Sequence, residues 1–182
     1  QELGLNINAL TSSDRTVYWD VVPSNFLEMT LFMEADRMGN LLPAMTQKKL
    51  DVQRDVAKNE RRSNYDNRPY GTATEKIRSL MYPKEHPYYW LTIGSMKDLS
   101  AASMDDVKSF FRKFYVPNNA SLVIAGDFDE KQTRRWVEKY FGNIKRGAEI
   151  TRPNPPKPEI NGEIRKTFQD AYRAWQRGGR WP

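Results

Sequence analysis

The chain has 182 residues, of which 38% are hydrophobic and 29% are charged, and its formal net charge is +6. This composition is typical of a globular protein and excludes a disordered chain. No apolar run in the sequence approaches the length that spans a membrane. The absence of cysteine excludes disulfides and thiolate metal ligands. The positive charge would permit a nucleic-acid partner, but the basic residues follow helices and the C-terminal end, so a specific nucleic-acid site is not expected.

The first 22 residues predict a β-hairpin. Leu5, Ile7 and Ala9 alternate with other side chains in the first strand, and residues 16–22 are rich in β-branched and aromatic residues. Residues 12–14 supply the turn. Because the first strand also carries Asn and Thr side chains, we expect it at an exposed sheet edge that is open to another strand.

Three helices are predicted after the hairpin. The first has Ser24 as a plausible N-cap and is expected to end at Pro43. The second covers residues 46–67, and a shorter helix covers residues 72–81.

The following segments predict a helix, a buried strand and a last helix. The helix covers residues 105–115, with Ser100 or Ser103 as its N-cap. Residues 120–126, ASLVIAG, form a short apolar run bounded by turn residues, which is typical of a buried strand. Residues 127–142 predict a loop and a helix.

Residues 82–95 form an irregular aromatic loop that contains His86, the one histidine of the chain. A lone histidine beside prolines and aromatic residues is more often packed or hydrogen-bonded than bound to a metal. We therefore expect a structural role for His86.

The second helix places a carboxylate where an apolar side chain is expected. Gln53, Val56, Ala57 and Glu60 fall on one side of this helix, which should face the protein. A desolvated carboxylate needs a cation, so Glu60 is predicted to form an ion pair or to bind a metal. The residues alone favour the ion pair, because such pairs are commoner than metal sites.

The order of strands and helices predicts an α+β fold, with a mixed and mainly antiparallel sheet packed against several helices. Residues 1–145 form this domain, and residues 146–162 form a linker because four prolines lie within residues 153–158. Residues 163–182 are a basic tail without a convincing core pattern.

Two long parts of the sequence resemble the insulinase/pitrilysin (M16) family of zinc metallopeptidases. The first is NALTSSDRTVYWDVVPSNFLEMTLFMEADRMGNLL followed by QRDVAKNERRSNYDNRPYG, and the second is HPYYWLTIGSMKDLSAASMDDVKSFFRKFYVPNNASLVIAGDF. The resemblance covers residues 3–142 and implies a truncated N-terminal half-domain of α+β architecture.

The resemblance also implies functional residues. The family binds one zinc through an inverted H-x-x-E-H helix and a downstream Glu, which Glu60 matches by its place in the N-E-R-R block. Gln53 matches a position that is a second Glu in many relatives. Peptide substrates add to the edge strand that holds Asn8, Ala9 and Thr11, although a polar edge without a ligand is the alternative.

The H-x-x-E-H motif is missing from the sequence, and in the family it precedes the Asn-Ala strand. We therefore expect a fragment of a zinc-dependent metalloendopeptidase that has no catalytic residue of its own, binds zinc only weakly and is inactive alone. The alternative is a noncatalytic peptide-binding or scaffold subunit of an active peptidase. An incomplete sheet would favour a homodimer or a second peptidase subunit. Relatives of this type are often exported, so the resemblance suggests a periplasmic or otherwise exported protein.

Overall fold

A computed structural model describes residues 6–169 of the protein. Within this range the chain forms one two-stranded antiparallel sheet and six α-helices, which confirms the α+β prediction. Residues 1–5, which include Leu5 of the predicted hairpin, and residues 170–182 lie outside the described residues. No helix between residues 6 and 169 is long and apolar enough to cross a membrane.

The described residues belong to two compact units. The first unit contains residues 6–47 and 103–152, and the second contains residues 48–102 and 153–169. Residues 146–169 form neither helix nor strand. The division into a domain at residues 1–145, a linker and a tail stays a prediction.

The first unit begins with the predicted hairpin. Strand β1 (Asn6–Thr11) pairs with strand β2 (Thr16–Val21), with Asn6 opposite Val21. The backbone N–H of Ser12 donates to the carbonyl oxygen of Arg15 at 2.8 Å and closes the turn. Every residue of β1 is exposed, in agreement with the predicted edge position.

Helix α1 (Leu27–Ala44) follows a 3-10 turn, and both of its predicted ends need correction. Ser24 makes no capping hydrogen bond through its side chain, because it lies inside the 3-10 turn instead of before an α-helical turn. Pro43 lies within the last turn of α1, where its fixed φ angle is compatible with a helix, and the helix ends one residue later.

Helix α1 packs against helices α5 (Met104–Phe114) and α6 (Glu130–Phe141). Glu28 of α1 accepts hydrogen bonds from Lys139 at 3.0 Å and from Tyr140 at 2.8 Å, which joins α1 to α6. The most buried apolar side chains of the described chain all belong to this unit: Leu31, Ala35 and Val116.

Both helices begin at a capping side chain. Ser103 and Asp106 form a reciprocal capping box at the start of α5, which selects Ser103 over Ser100 as the N-cap. The side chain of Asp129 caps the start of α6, and Gly142 is its C-cap.

The predicted buried strand at residues 120–126 is wrong. These residues form no strand, and Val123 is 84% exposed. No backbone hydrogen bond joins residues 121–126 to any other residue between 6 and 169. The apolar pattern is typical of a strand, but a strand also needs a neighbouring backbone, and the described residues supply none.

The second unit contains helices α2 (Gln47–Arg61), α3 (Ala73–Met81) and α4 (Met96–Ala101). A π-helical turn, Arg62–Asp66, extends α2, so the predicted end near Asn67 is confirmed. The sequence interpretation missed α4, which is capped by the side chain of Ser95.

Candidate functional site

Helix α2 presents a different face to the protein from the one that the sequence predicts. Its inner face comprises Leu50, Arg54, Ala57, Lys58 and Arg61, all of which are buried or half-buried. Gln53, Val56 and Glu60 are exposed, so the expectation of a desolvated Glu60 is wrong.

The error follows from treating valine as the marker of the inner face. Val52 is 53% exposed and Val56 is 45% exposed, whereas Arg61 is only 7% exposed. Arginine side chains bury their aliphatic stems against the unit and direct their guanidinium groups to specific partners. The useful signal was the spacing of Leu50, Arg54, Ala57 and Arg61 along one helical stripe.

An ion pair is predicted for Glu60, but the buried ion pairs of this helix are formed by Arg61. Its Nη1 donates to the carbonyl oxygen of Gly94 at 2.6 Å, and its Nη2 donates to Glu75 at 2.9 Å. Its Nε lies 3.4 Å from the carboxylate of Asp66 in the π-helical turn. A buried guanidinium needs several such partners, so Arg61 joins α2, α3 and the loop before α4.

Glu60 itself projects from the exposed face of α2. Neither an ion pair nor a hydrogen bond joins its side chain to any residue between 6 and 169. Its neighbours on this face are Val52, Gln53 and Val56, so a carboxylate stands beside two exposed apolar side chains. This carboxylate is free to bind a group outside the described residues.

Asn8, Ala9 and Thr11 lie together on β1, and all three are exposed. Strand β2 occupies one edge of β1, and the other edge pairs with no strand in the described range. The backbone N–H of Ala9 donates to Oδ1 of Asn8 at 2.8 Å. An edge of this kind can accept a further strand through main-chain hydrogen bonds.

The single histidine is a packed side chain, as the sequence predicts. His86 is 9% exposed, and its Nδ1 accepts the backbone N–H of Tyr88 at 3.0 Å. Its ring lies 4.6 Å from the ring of Tyr82 and 5.1 Å from that of Tyr88, measured between centroids.

The residues present do not fit a zinc ion by themselves. Zinc needs at least three protein ligands, usually nitrogen, sulfur or carboxylate oxygen. Within residues 6–169, no three side chains of His, Asp or Glu are grouped so that they could hold a metal. Glu60 offers one carboxylate, and His86 is engaged elsewhere.

Comparisons with known proteins agree with this α+β arrangement. The family described as Peptidase M16 inactive domain matches residues 101–173. The zinc protease PqqE of Helicobacter pylori is 31% identical over 148 residues, which are 81% of this chain and 33% of the relative. The probable mitochondrial-processing peptidase subunit beta of Schizosaccharomyces pombe is 22% identical over 178 residues, with coverages of 96% and 38%.

A solved structure gives the same result for the fold. The crystal structure of a protease from Helicobacter pylori matches with a TM-score of 0.76 and 30% identity, over 85% of this chain and 37% of that one. The fold is therefore that of a peptidase half-domain. These similarities support a fragment of an M16-family peptidase, in agreement with the resemblance, and the chain spans about a third of the length of the curated relatives it matches. Zinc proteases occur among these relatives, which supports zinc in the intact family.

Proposed function

We propose that this chain is part of a zinc-dependent M16 metalloendopeptidase and that it binds the peptide substrate by strand addition at β1. The observation that carries the proposal is the open edge of β1, where Asn8, Ala9 and Thr11 are exposed. Main-chain pairing at such an edge tolerates many peptide sequences, which suits a peptidase.

A hydrogen bond between neighbouring residues occupies this edge when no peptide is bound. The N–H of Ala9 is satisfied by Oδ1 of Asn8, so the edge donor is already paired before any peptide binds. An incoming peptide carbonyl replaces the Asn8 side chain as the acceptor. The released Asn8 amide is then available to the peptide backbone.

Glu60 is the residue that we propose as a zinc ligand. Its exposed position and its lack of an ion pair within the described residues favour a role toward a group outside them. The two further ligands and the general base must come from other polypeptide, because the sequence holds one histidine and no H-x-x-E-H motif. The 182-residue chain is therefore expected to be inactive alone.

A second candidate function is a noncatalytic peptide-binding subunit of an active peptidase. The match to a family described as an inactive domain favours it, as does a relative named as a subunit of a processing peptidase. Residues 121–126, which make no backbone hydrogen bond within residues 6–169 and include the exposed Val123, support association with a second subunit or with another copy of the chain. Both candidates share the peptide-binding edge of β1.

Peptide binding can be tested on the chain as it is. We expect the fluorescence anisotropy of a labelled, unstructured peptide to rise on titration with the protein. An analogue with N-methylated backbone amides cannot donate main-chain hydrogen bonds, so it should not bind. Equal binding of both peptides would exclude strand addition. As an internal control, the peptide should slow amide exchange in β1 but leave exchange in α6 unchanged.

The two candidate functions predict different residues in the coding sequence that precedes Gln1. An H-x-x-E-H motif encoded there supports the peptidase, whereas other residues at those positions support the noncatalytic subunit. Zinc-dependent hydrolysis by the 182-residue chain alone would contradict both.

A further inference from the structure

One asparagine of the chain is followed by a glycine, in a stretch that belongs to no helix or strand. Asn161 and Gly162 are both exposed. Gly162 has a φ of +152°, and a Cβ built on it would have no atom within 4 Å. Within residues 6–169, no hydrogen bond involves the side chain of Asn161 or the backbone N–H of Gly162. This asparagine–glycine pair is therefore open to solvent.

A pair of this kind reacts with itself and needs no cofactor. The amide nitrogen of Gly162, once it has lost its proton, attacks Cγ of Asn161. A bond forms between that nitrogen and Cγ, the bond from Cγ to the side-chain nitrogen breaks, and ammonia leaves. Glycine favours the attack because it carries no side chain that would hinder its own nitrogen. The product is a five-membered succinimide ring.

The surroundings of Asn161 decide whether this ring closes, because the backbone must rotate to bring the nitrogen to Cγ. In a helix or a strand this rotation would break backbone hydrogen bonds, which is costly. Residues 146–169 form neither element. The neighbouring ion pair, from Nε of Arg165 to Glu163 at 2.6 Å, does not involve the reacting atoms. Within the described range, the fold therefore places no restraint on ring closure.

We propose that Asn161 is a site of spontaneous deamidation and isoaspartate formation. Water opens the succinimide at either of its two carbonyl carbons. If the bond from the Gly162 nitrogen to Cγ breaks, residue 161 becomes aspartate. If the bond from that nitrogen to the main-chain carbonyl carbon breaks, the chain continues through Cγ and residue 161 becomes isoaspartate. Water is the one co-reactant, and no atom is oxidised or reduced.

Both products change the chemistry of this segment. A carboxylate replaces an amide, which lowers the net charge of the chain by one. Residues 158–164 already hold Glu159 and Glu163 and no basic residue, so the modification gives them a third acidic group. Isoaspartate also inserts one methylene group into the backbone. Aged chains therefore differ from newly made chains in charge and in backbone length beside the basic tail.

Peptide mapping after incubation of the chain at mildly alkaline pH tests the site. Trypsin should release residues 147–165 as one peptide, because a proline follows each of its two internal basic residues. This peptide also holds Asn154, an exposed asparagine whose neighbour Pro155 has no amide proton and cannot close the ring. Tandem mass spectrometry should place a gain of about one dalton on residue 161, growing with time, and none on Asn154. A digest at zero time corrects for deamidation during handling.

Two variants separate ring closure from other causes of a mass change. Gly162→Pro removes the amide proton, as at Asn154, so it should abolish the gain. Asn161→Gln would need a six-membered ring, so its side chain should lose ammonia far more slowly. Both positions are exposed and outside any helix or strand, so the circular dichroism of both variants should match that of the unmodified protein. Isoaspartyl methyltransferase should label the aged chain but neither variant.

A synthetic peptide of residues 158–165 gives the rate of the reaction without the fold. We expect Asn161 to deamidate at the same rate in the chain as in this peptide. An Asn161 that stays unmodified in the chain while the peptide deamidates would overturn the proposal. Equal gains at Asn154 and Asn161, or a gain that persists in Gly162→Pro, would overturn it as well.

Discussion

Glu60 and Arg61 are adjacent in the sequence, yet Arg61 is buried among the second unit's polar groups and Glu60 faces outward. Successive residues of an α-helix project about 100° apart, so one position separates the two environments. Arg61 holds the unit together through Gly94, Glu75 and Asp66. The helix is thereby anchored, and Glu60 remains accessible on its outer face.

Replacing Arg61 should strongly destabilise the second unit. Arg61→Met keeps the aliphatic stem but leaves Glu75 and the carbonyl of Gly94 without their partner. Removing one member of a buried ion pair costs about 3–5 kcal/mol, and we expect a loss near the lower value because Glu75 is only partly buried. Urea denaturation followed by circular dichroism measures this loss.

The neighbouring arginine provides the control for this experiment. Arg62 is exposed, and within residues 6–169 its side chain donates only to Asn59, at 2.9 Å. Arg62→Met should change the free energy of unfolding by less than about 0.5 kcal/mol. Equal losses of unfolding free energy in Arg61→Met and Arg62→Met would show that the buried contacts of Arg61 do not stabilise the unit.

Replacing two glycines of the first unit by alanine should change the stability of the protein in opposite directions. A Cβ at Gly147 would lie 2.6 Å from a side-chain carbon of Val116, which is buried, so Gly147→Ala should destabilise by about 1–3 kcal/mol. A Cβ at Gly39 would lie 3.7 Å from Ile144, an ordinary contact. Gly39 lies within α1, so Gly39→Ala should stabilise by about 0.5–1 kcal/mol. Thermal unfolding of both variants checks the sign, and a stabilising Gly147→Ala would contradict the packing at Val116.

The cap of α5 should depend on pH through Asp106. Hydrogen bonds from the side chain and backbone of Ser103 lower the pKa of Asp106. Because the folded-state pKa is depressed, this contribution is present above the unfolded-state value and is lost as the pH falls through the folded-state value. Ser103→Ala should therefore lower stability at neutral pH and flatten its acid dependence, as seen in melting temperatures measured across the acidic range.

The neighbouring serine is the matched control for that cap. Ser100 is exposed and donates to the carbonyl oxygen of Met96 within α4. Ser100→Ala should leave the acid dependence unchanged. If Ser103→Ala and the unmodified protein lose stability in parallel on acidification, the capping box does not contribute as described.

Several elements could be predicted because their causes are local. The hairpin follows from a two-residue period and a turn, and α5 and α6 follow from their caps and apolar spacing. These features depend on residues a few positions apart. Naming Ser100 and Ser103 as the two candidate caps of α5 needed no knowledge of the rest of the chain.

The two main errors concern contacts with distant groups. The sequence pattern at residues 120–126 is typical of a buried strand, but burial and pairing depend on a second backbone. Likewise, the periodicity of α2 gives the spacing of its faces but not which face meets the protein. Arg61 occupies the inner face because Glu75 and Gly94 lie there, which no local pattern reports.

The exposed segment at residues 120–126 predicts self-association. Val123→Lys places a charge on an exposed apolar segment, so it should weaken association without lowering the stability of the chain. Analytical ultracentrifugation over a range of protein concentrations measures this change. Ala148→Lys, at another exposed position, is the control for added charge. A chain that stays monomeric at high concentration would contradict the prediction.

The most direct test of the account is the zinc content of the longer protein that includes the coding sequence before Gln1. Elemental analysis should find about one zinc per chain. Glu60→Gln should sharply reduce this content and the rate of peptide hydrolysis, whereas Glu85→Gln, at an exposed position of the same unit, should reduce neither. Unchanged zinc content in Glu60→Gln would contradict the proposal that Glu60 is a ligand.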